Sequence, residues 1–228
     1  MIVLGSIVNA VAVMVGGSIG VVFKKGIPER VKTIMMQSIG VCVLYVGISG
    51  SLKGHNTIYI VISMVIGAII GELIDFDKHF NYIGKKAQNL FKVGPNSSFA
   101  EGFVTSSLFI CVGAMAIVGS LQSGLTGSNS TLMTKSVIDG IFCLIMASTL
   151  GLGVAFAGVT VFIYEAAITL LAHQIAGFFT SVVIDEVTCV GSLLILIIGL
   201  NMLKLTNIKV ANLLLAPFIP IFLYKFFS

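Results

Sequence analysis

Apolar runs of about 20 residues recur along this chain with hardly a charge inside them, and that length is what a helix needs to cross a hydrocarbon core of roughly 30 Å. Only 10% of the 228 residues are charged, 57% are hydrophobic, and the mean hydropathy is +1.10. A soluble domain carries about 25% charged residues. A chain this poor in charge cannot cover itself with side chains that face water. A membrane β-barrel would show short alternating segments, whereas these runs are continuous. The expected fold is therefore all-α: a polytopic transmembrane helix bundle forming a single integral-membrane domain over residues 1–228. The polar stretches are too short to hold a separate soluble domain.

Eight spans fit, near 2–23, 33–52, 57–74, 100–122, 132–150, 153–174, 187–203 and 209–227. Seven remain possible, because Thr134–His173 has no obvious polar loop and no lysine or arginine from 136 to 172. That stretch is too long for one crossing. Gly151–Gly153, "GLG", offers the best break, since glycine permits a tight turn. A re-entrant segment is the alternative. The first span lacks the basic start of a signal peptide and is expected to be uncleaved.

The net charge of +4 is distributed as orientation demands rather than as a nucleic-acid footprint. Lys24, Lys25, Arg30 and Lys32 follow the first span, Lys78, Lys85, Lys86 and Lys92 the third, and Lys204 and Lys209 the seventh. With an even number of crossings between Ser98 and Lys204, these ten of the thirteen basic residues share one face. The positive-inside rule makes that face cytoplasmic, in the inner membrane, with both termini outside. Phe76, Phe80, Ile83, Ala87, Leu90 and Phe91 recur at helical spacing among lysines, so 76–92 is expected as an amphipathic helix on the cytoplasmic surface.

Small residues stripe several spans: Ala12, Gly16 and Gly20 in the first, Gly67 and Gly71 in the third. Such stripes let helices pack closely in lipid. The second span, "TIMMQSIGVCVLYVGIS", resembles the fifth, "TLMTKSVIDGIFCLIMAS", and "IGVCVLYVGISGSLK" resembles "VGSLLILIIGLNMLK" of the seventh. In the eight-span layout both pairings run in opposed directions, as inverted repeats of a transporter would.

An ionisable residue inside hydrocarbon costs about 2.5–3.5 kcal/mol on insertion scales, so it persists where it is paired, hydrated or functional. Glu165 falls near the middle of the sixth span. Asp139 and Lys135 lie one turn apart on one face of the fifth, in the less favourable Lys-before-Asp order for a helix pair. Lys135 is expected to reach outward to water. Asn9, with Ser6 beside it, sits at comparable depth in the first span, and Ser136 and Gln37 extend the polar inventory. Carboxylates with amide and hydroxyl oxygens suit a cation. The same residues would also serve to tie helices together. Glu72 and Asp75 are expected at the inner end of the third span. Cys42, Cys111, Cys143 and Cys189 stand singly and read as small apolar residues. No H-E-x-x-H, P-loop or G-x-S-x-G occurs, so neither an enzyme nor a cofactor is expected.

The blocks "GSIVNAVAVMVGGSIG" at the start, "CVGAMAIVGSLQSGL" at 111–125, "LMTKSVIDG" at 132–140, "STLGLGVAFA" at 148–157 and "IIGLNMLKLTNIKVANLLLAP" at 197–217 resemble the YqgA/YdfK-like family of uncharacterised bacterial membrane proteins, over nearly the whole chain. Ala114 departs from a proline expected there, and "NLLLAP" from a closer "NLLPA". The resemblance implies an inner-membrane protein of several spans and carries no agreed substrate. The expected function is a secondary transporter or channel for an ion or small solute, working as a homo-oligomer such as a dimer in the lipid bilayer. The alternative is a scaffold whose polar residues only lock helices.

Overall fold

The computed structural model describes residues 2–24, 28–79, 82, 99–111 and 113–227, and among these every regular element is helical. In order they are α1 (Leu4–Lys24), α2 (Glu29–Ser51), α3 (Thr57–Ile74), α4 (Phe99–Cys111), α5 (Ala114–Thr126), α6 (Ser130–Leu150), α7 (Gly153–Ile175), α8 (Ser181–Met202) and α9 (Ile219–Phe227), with short 3₁₀ turns at Ala176–Phe178, Val210–Leu213 and Ala216–Phe218. Helices are what a lipid-embedded chain must use, because each satisfies its backbone polar groups within itself. Seven segments are long and apolar enough to span, and the bent α4–α5 pair makes an eighth if it is one crossing. Most of the segment expected as an amphipathic surface helix, 76–92, lies outside the described residues.

The chain divides into two compact units. The first comprises Met1–Met35, Phe80–Cys111 and Met115–Gln174; the second comprises Met36–His79, Val112–Ala114 and Ile175–Ser228.

In the first unit α1 runs parallel to α6: Gly5 packs on Leu132, Gly16 on Gly140 and Gly20 on Leu144. At Gly16 a Cβ would strike the Gly140 carbonyl oxygen, so only glycine allows this approach. The α7 helix runs antiparallel to α1, with Gly17 against Ala155 and Ala10 and Met14 against Gly158. The expected turn between the fifth and sixth spans is present. The α6 helix ends at Leu150, Gly151 takes φ +82, and α7 starts at Gly153. The α4–α5 pair is bent by 59°. Its start packs beside the α6–α7 turn, with Phe99 against Gly153 and Gly102 against Leu150. Its end meets the N-terminal ends of α1 and α6. There the Asn129 side-chain oxygen accepts from the Gly5 N–H at 2.9 Å and the Ser123 hydroxyl at 2.8 Å. The pair thus reaches from one end of the first unit to the other across its bend.

In the second unit α2 and α8 are antiparallel, with Gly40 against Leu203, Gly47 against Leu196 and Gly50 against Ser192. The α3 helix turns Ser63, Gly67 and Gly71 inward and leaves Ile58, Val61, Val65, Ile69 and Leu73 exposed, as suits a lipid-facing side. Its inward glycines receive the broken segment after α8. Gly67 packs on Ala216, and a Cβ at Gly71 would strike the Asn212 carbonyl oxygen. The last span is therefore not one continuous helix over 209–227. Pro217 and Pro220 remove backbone donors, and two 3₁₀ turns precede the short α9. The α8 helix also starts six residues before the expected 187. The Thr180 hydroxyl accepts from the Val183 N–H and caps it, which draws Asp185 and Glu186 into the helix.

Candidate functional site

The first unit encloses a cluster of charge. Lys135, Asp139 and Glu165 are 4%, 6% and 0% exposed, and Asn9 is 0% exposed. Each stands on a different turn of a span for a simple reason: α1, α6 and α7 pack through small residues, which brings their polar faces together. Glu165 is twelve residues into α7, about 18 Å along its axis at roughly 1.5 Å per residue. The α6 helix begins at Ser130, so Asp139 lies deeper than a start at 132 implies.

The Asn9 amide nitrogen donates to Asp139 Oδ2 at 3.0 Å and to Glu165 Oε1 at 2.7 Å. Both partners are acceptors, which fixes the amide's orientation with its NH₂ toward the carboxylates and its oxygen turned aside. The Lys135 ammonium donates to Asp139 Oδ2 and stands 3.8 Å from Glu165 Oε1. Lys135 thus does not reach outward to water as expected. The two carboxylates hold its ammonium inside, where a paired charge is far cheaper than a lone one. One lysine against two carboxylates leaves one negative charge unbalanced if both acids are ionised. Among the described residues, no protein donor reaches Glu165 Oε2, and Asn9 Oδ1 likewise has no partner.

Four of the six expected site residues, Asn9, Lys135, Asp139 and Glu165, therefore meet. Ser136 is buried on α6, but its hydroxyl donates to the Leu132 carbonyl of its own helix. Gln37 lies on α2 in the other unit and is exposed.

The second unit contains an acid that the hydropathy reading overlooked. Glu186 is 0% exposed. Its Oε1 accepts from the backbone N–H groups of His55 at 2.9 Å and Asn56 at 2.6 Å, and from the Tyr224 hydroxyl at 3.1 Å. Asn56 in turn caps α3 through Ile58 and Tyr59. Beside them the His55 ring lies 3.1 Å from Asp185. Glu186 was missed because the span was begun after its charges. The capping threonine at 180 is the sequence signal that would have included it. Removing this carboxylate strands three donors. Glu186→Ala is expected to cost about 3 kcal/mol in unfolding experiments in detergent, and Glu186→Gln, which keeps an acceptor, distinctly less.

At the other end of this unit Glu72 accepts from Asn212 at 2.5 Å and from Lys209 at 3.3 Å, and Asn212 accepts from the Asp77 N–H at 2.6 Å. The hydrogen bond to Glu72 raises the Lys209 ammonium pKa above its ordinary value.

The fold and this interior define a multi-pass membrane protein with charged residues held inside an apolar bundle. Compared with known proteins, the chain belongs to the family described as "Protein of unknown function (DUF554)", whose profile matches residues 4–225. It is similar to the uncharacterized membrane protein YdfK of Bacillus subtilis (strain 168), with 34% identity over 220 residues, 95% of this chain and 93% of that one. It is also similar to the uncharacterized protein YqgA of Escherichia coli (strain K12), with 31% identity over 216 residues, 93% of this chain and 92% of that one. No solved structure matches.

Proposed function

We propose that this protein is a secondary transporter or channel for an ion or small solute, and that its pathway passes the Asn9–Lys135–Asp139–Glu165 cluster. The observation that carries this reading is the burial of three ionisable side chains at depth in an apolar unit, with one carboxylate oxygen left without a donor. Intramembrane charges of this kind mark ion and substrate pathways. The bend between α4 and α5 in the same unit adds support, because discontinuous helices build the sites of many transporters. The lysine and arginine distribution supports the inner membrane with both termini outside. Eight short spans enclose little volume alone, which favours a homo-oligomer. The reading is of a non-catalytic protein.

The test is flux into proteoliposomes across a panel of cations and organic anions. A saturable flux is expected for the wild type, reduced at least tenfold by Glu165→Gln and by Asp139→Asn. Flux unchanged in both variants would sink the reading. Absence of flux for every solute, with an intact fold, would favour the scaffold, to which the bridging role of Asn9 is equally suited.

A further inference from the structure

The cluster has a second layer, made only of oxygen. Ser6, Ser120 and Thr169 are 0%, 0% and 2% exposed, and among the described residues their hydroxyls, like Asn9 Oδ1 and Glu165 Oε2, meet no hydrogen-bonding partner in the protein. Elsewhere among the described residues the Ser63 and Ser107 hydroxyls are buried without a partner as well. Ser106, Ser136, Ser148, Thr149 and Thr188 all donate back to a carbonyl of the preceding turn, the ordinary fate of a hydroxyl on a helix in lipid. Buried oxygens without partners cost free energy and call for an explanation.

Helix register brings these oxygens to one level. The α1 and α7 helices are antiparallel and joined by the Asn9–Glu165 hydrogen bond. Ser6 is one turn before Asn9, and Thr169 one turn after Glu165, so both step in the same direction along the bundle. On α5, Gly124 packs on Thr169 and Ala172. Ser120, one turn earlier on that face, falls between the levels of Thr169 and Glu165. Register thus sets Ser6, Asn9, Ser120, Glu165 and Thr169 within about two turns of one another along three helices of the first unit.

We infer that these oxygens form a binding site for a dehydrated monovalent cation of the sodium class; the inference rests on the reading of this cluster as an ion pathway. The chemistry selects the ligand. All five donors are hard oxygens and only one belongs to a carboxylate. Calcium sites draw on more carboxylates, and magnesium gives up its water reluctantly. Among the described residues no group of three His, Cys, Asp or Glu side chains is placed to hold a metal, which leaves transition metals without a ligand set. The charge balance points the same way. Lys135 neutralises Asp139, and a single positive charge at Glu165 Oε2 neutralises the remaining acid. A proton would also neutralise Glu165, but it has no use for three further hydroxyls.

The experiment is thermal unfolding of the full-length protein in detergent, in chloride salts of lithium, sodium, potassium and choline at one ionic strength. A ligand that binds only the folded state raises the midpoint with its concentration. Sodium is expected to raise it saturably above choline. Glu165→Gln should abolish that increment. Thr169→Val should raise the half-saturating sodium concentration at least tenfold with an unchanged midpoint in choline. Ser6→Ala and Ser120→Ala test the same geometry if Thr169→Val does not fold. Equal midpoints in all four salts would overturn the inference, as would unchanged half-saturation in every hydroxyl variant. Sodium stabilisation without any flux would remove the transport reading and keep the site. Flux driven by a pH gradient and indifferent to sodium would keep transport and remove the site.

Discussion

Lys135→Met is expected to lower stability by about 3–5 kcal/mol, a drop of roughly 10 °C in the unfolding midpoint. The ammonium it removes is buried against Asp139 and stands 3.8 Å from Glu165. Without it two carboxylates share an apolar interior with only the Asn9 amide as donor. The desolvation cost of the acids stays while their electrostatic compensation is lost. Lys135→Met combined with Asp139→Asn removes one charge of each sign and should recover most of the loss, because replacing a buried pair is far milder than breaking it. Ser136→Ala, one residue along α6, loses only a hydroxyl bonded to its own helix and should stay within about 0.5 kcal/mol. A double-mutant cycle on unfolding in one detergent reads all three. If Lys135→Met were as stable as the wild type, the ammonium would not be paired in the interior.

Gly16→Val is the second large effect. A Cβ at Gly16 would overlap the Gly140 carbonyl oxygen, and backbone cannot move aside as a flexible side chain can. The helices α1 and α6 must separate, with an expected cost of at least about 3 kcal/mol, the upper part of the range for overpacking. The consequence reaches the cluster, since α1 carries Asn9 and α6 carries Lys135 and Asp139. Gly16→Val should therefore impair flux as well as stability, although residue 16 touches none of the charged groups. Gly177→Ala is the matched control, because a Cβ there meets nothing within 4 Å. Equal midpoints for the two variants would refute the close approach.

Much of the site was legible in the chain because lipid makes ionisable residues conspicuous. Lys135, Asp139 and Glu165 stand out against an apolar background whatever their partners, and Asn9 lies at a matching depth. Gln37 was named with them as part of the polar inventory, yet it is exposed and in another unit. Glu186 escaped for the opposite reason. Hydropathy ends a span at its charges, whereas the helix obeys its threonine cap and carries the acid inward.

By itself the sequence determined that the chain is a helical membrane bundle, roughly where its spans lie, that Gly151–Gly153 divides two of them, and that Asp139 and Glu165 fall inside spans. Those properties depend on composition along a single helix, which hydropathy and glycine placement report directly. Only the tertiary structure decided that Lys135 turns inward, that Asn9 bridges two acids, that α4 and α5 are bent against each other, and which oxygens are left without partners. Those properties depend on how helices are rotated toward one another. The packing of Gly16 on Gly140 and Ala10 on Gly158 sets that rotation, and no periodicity within one span encodes it.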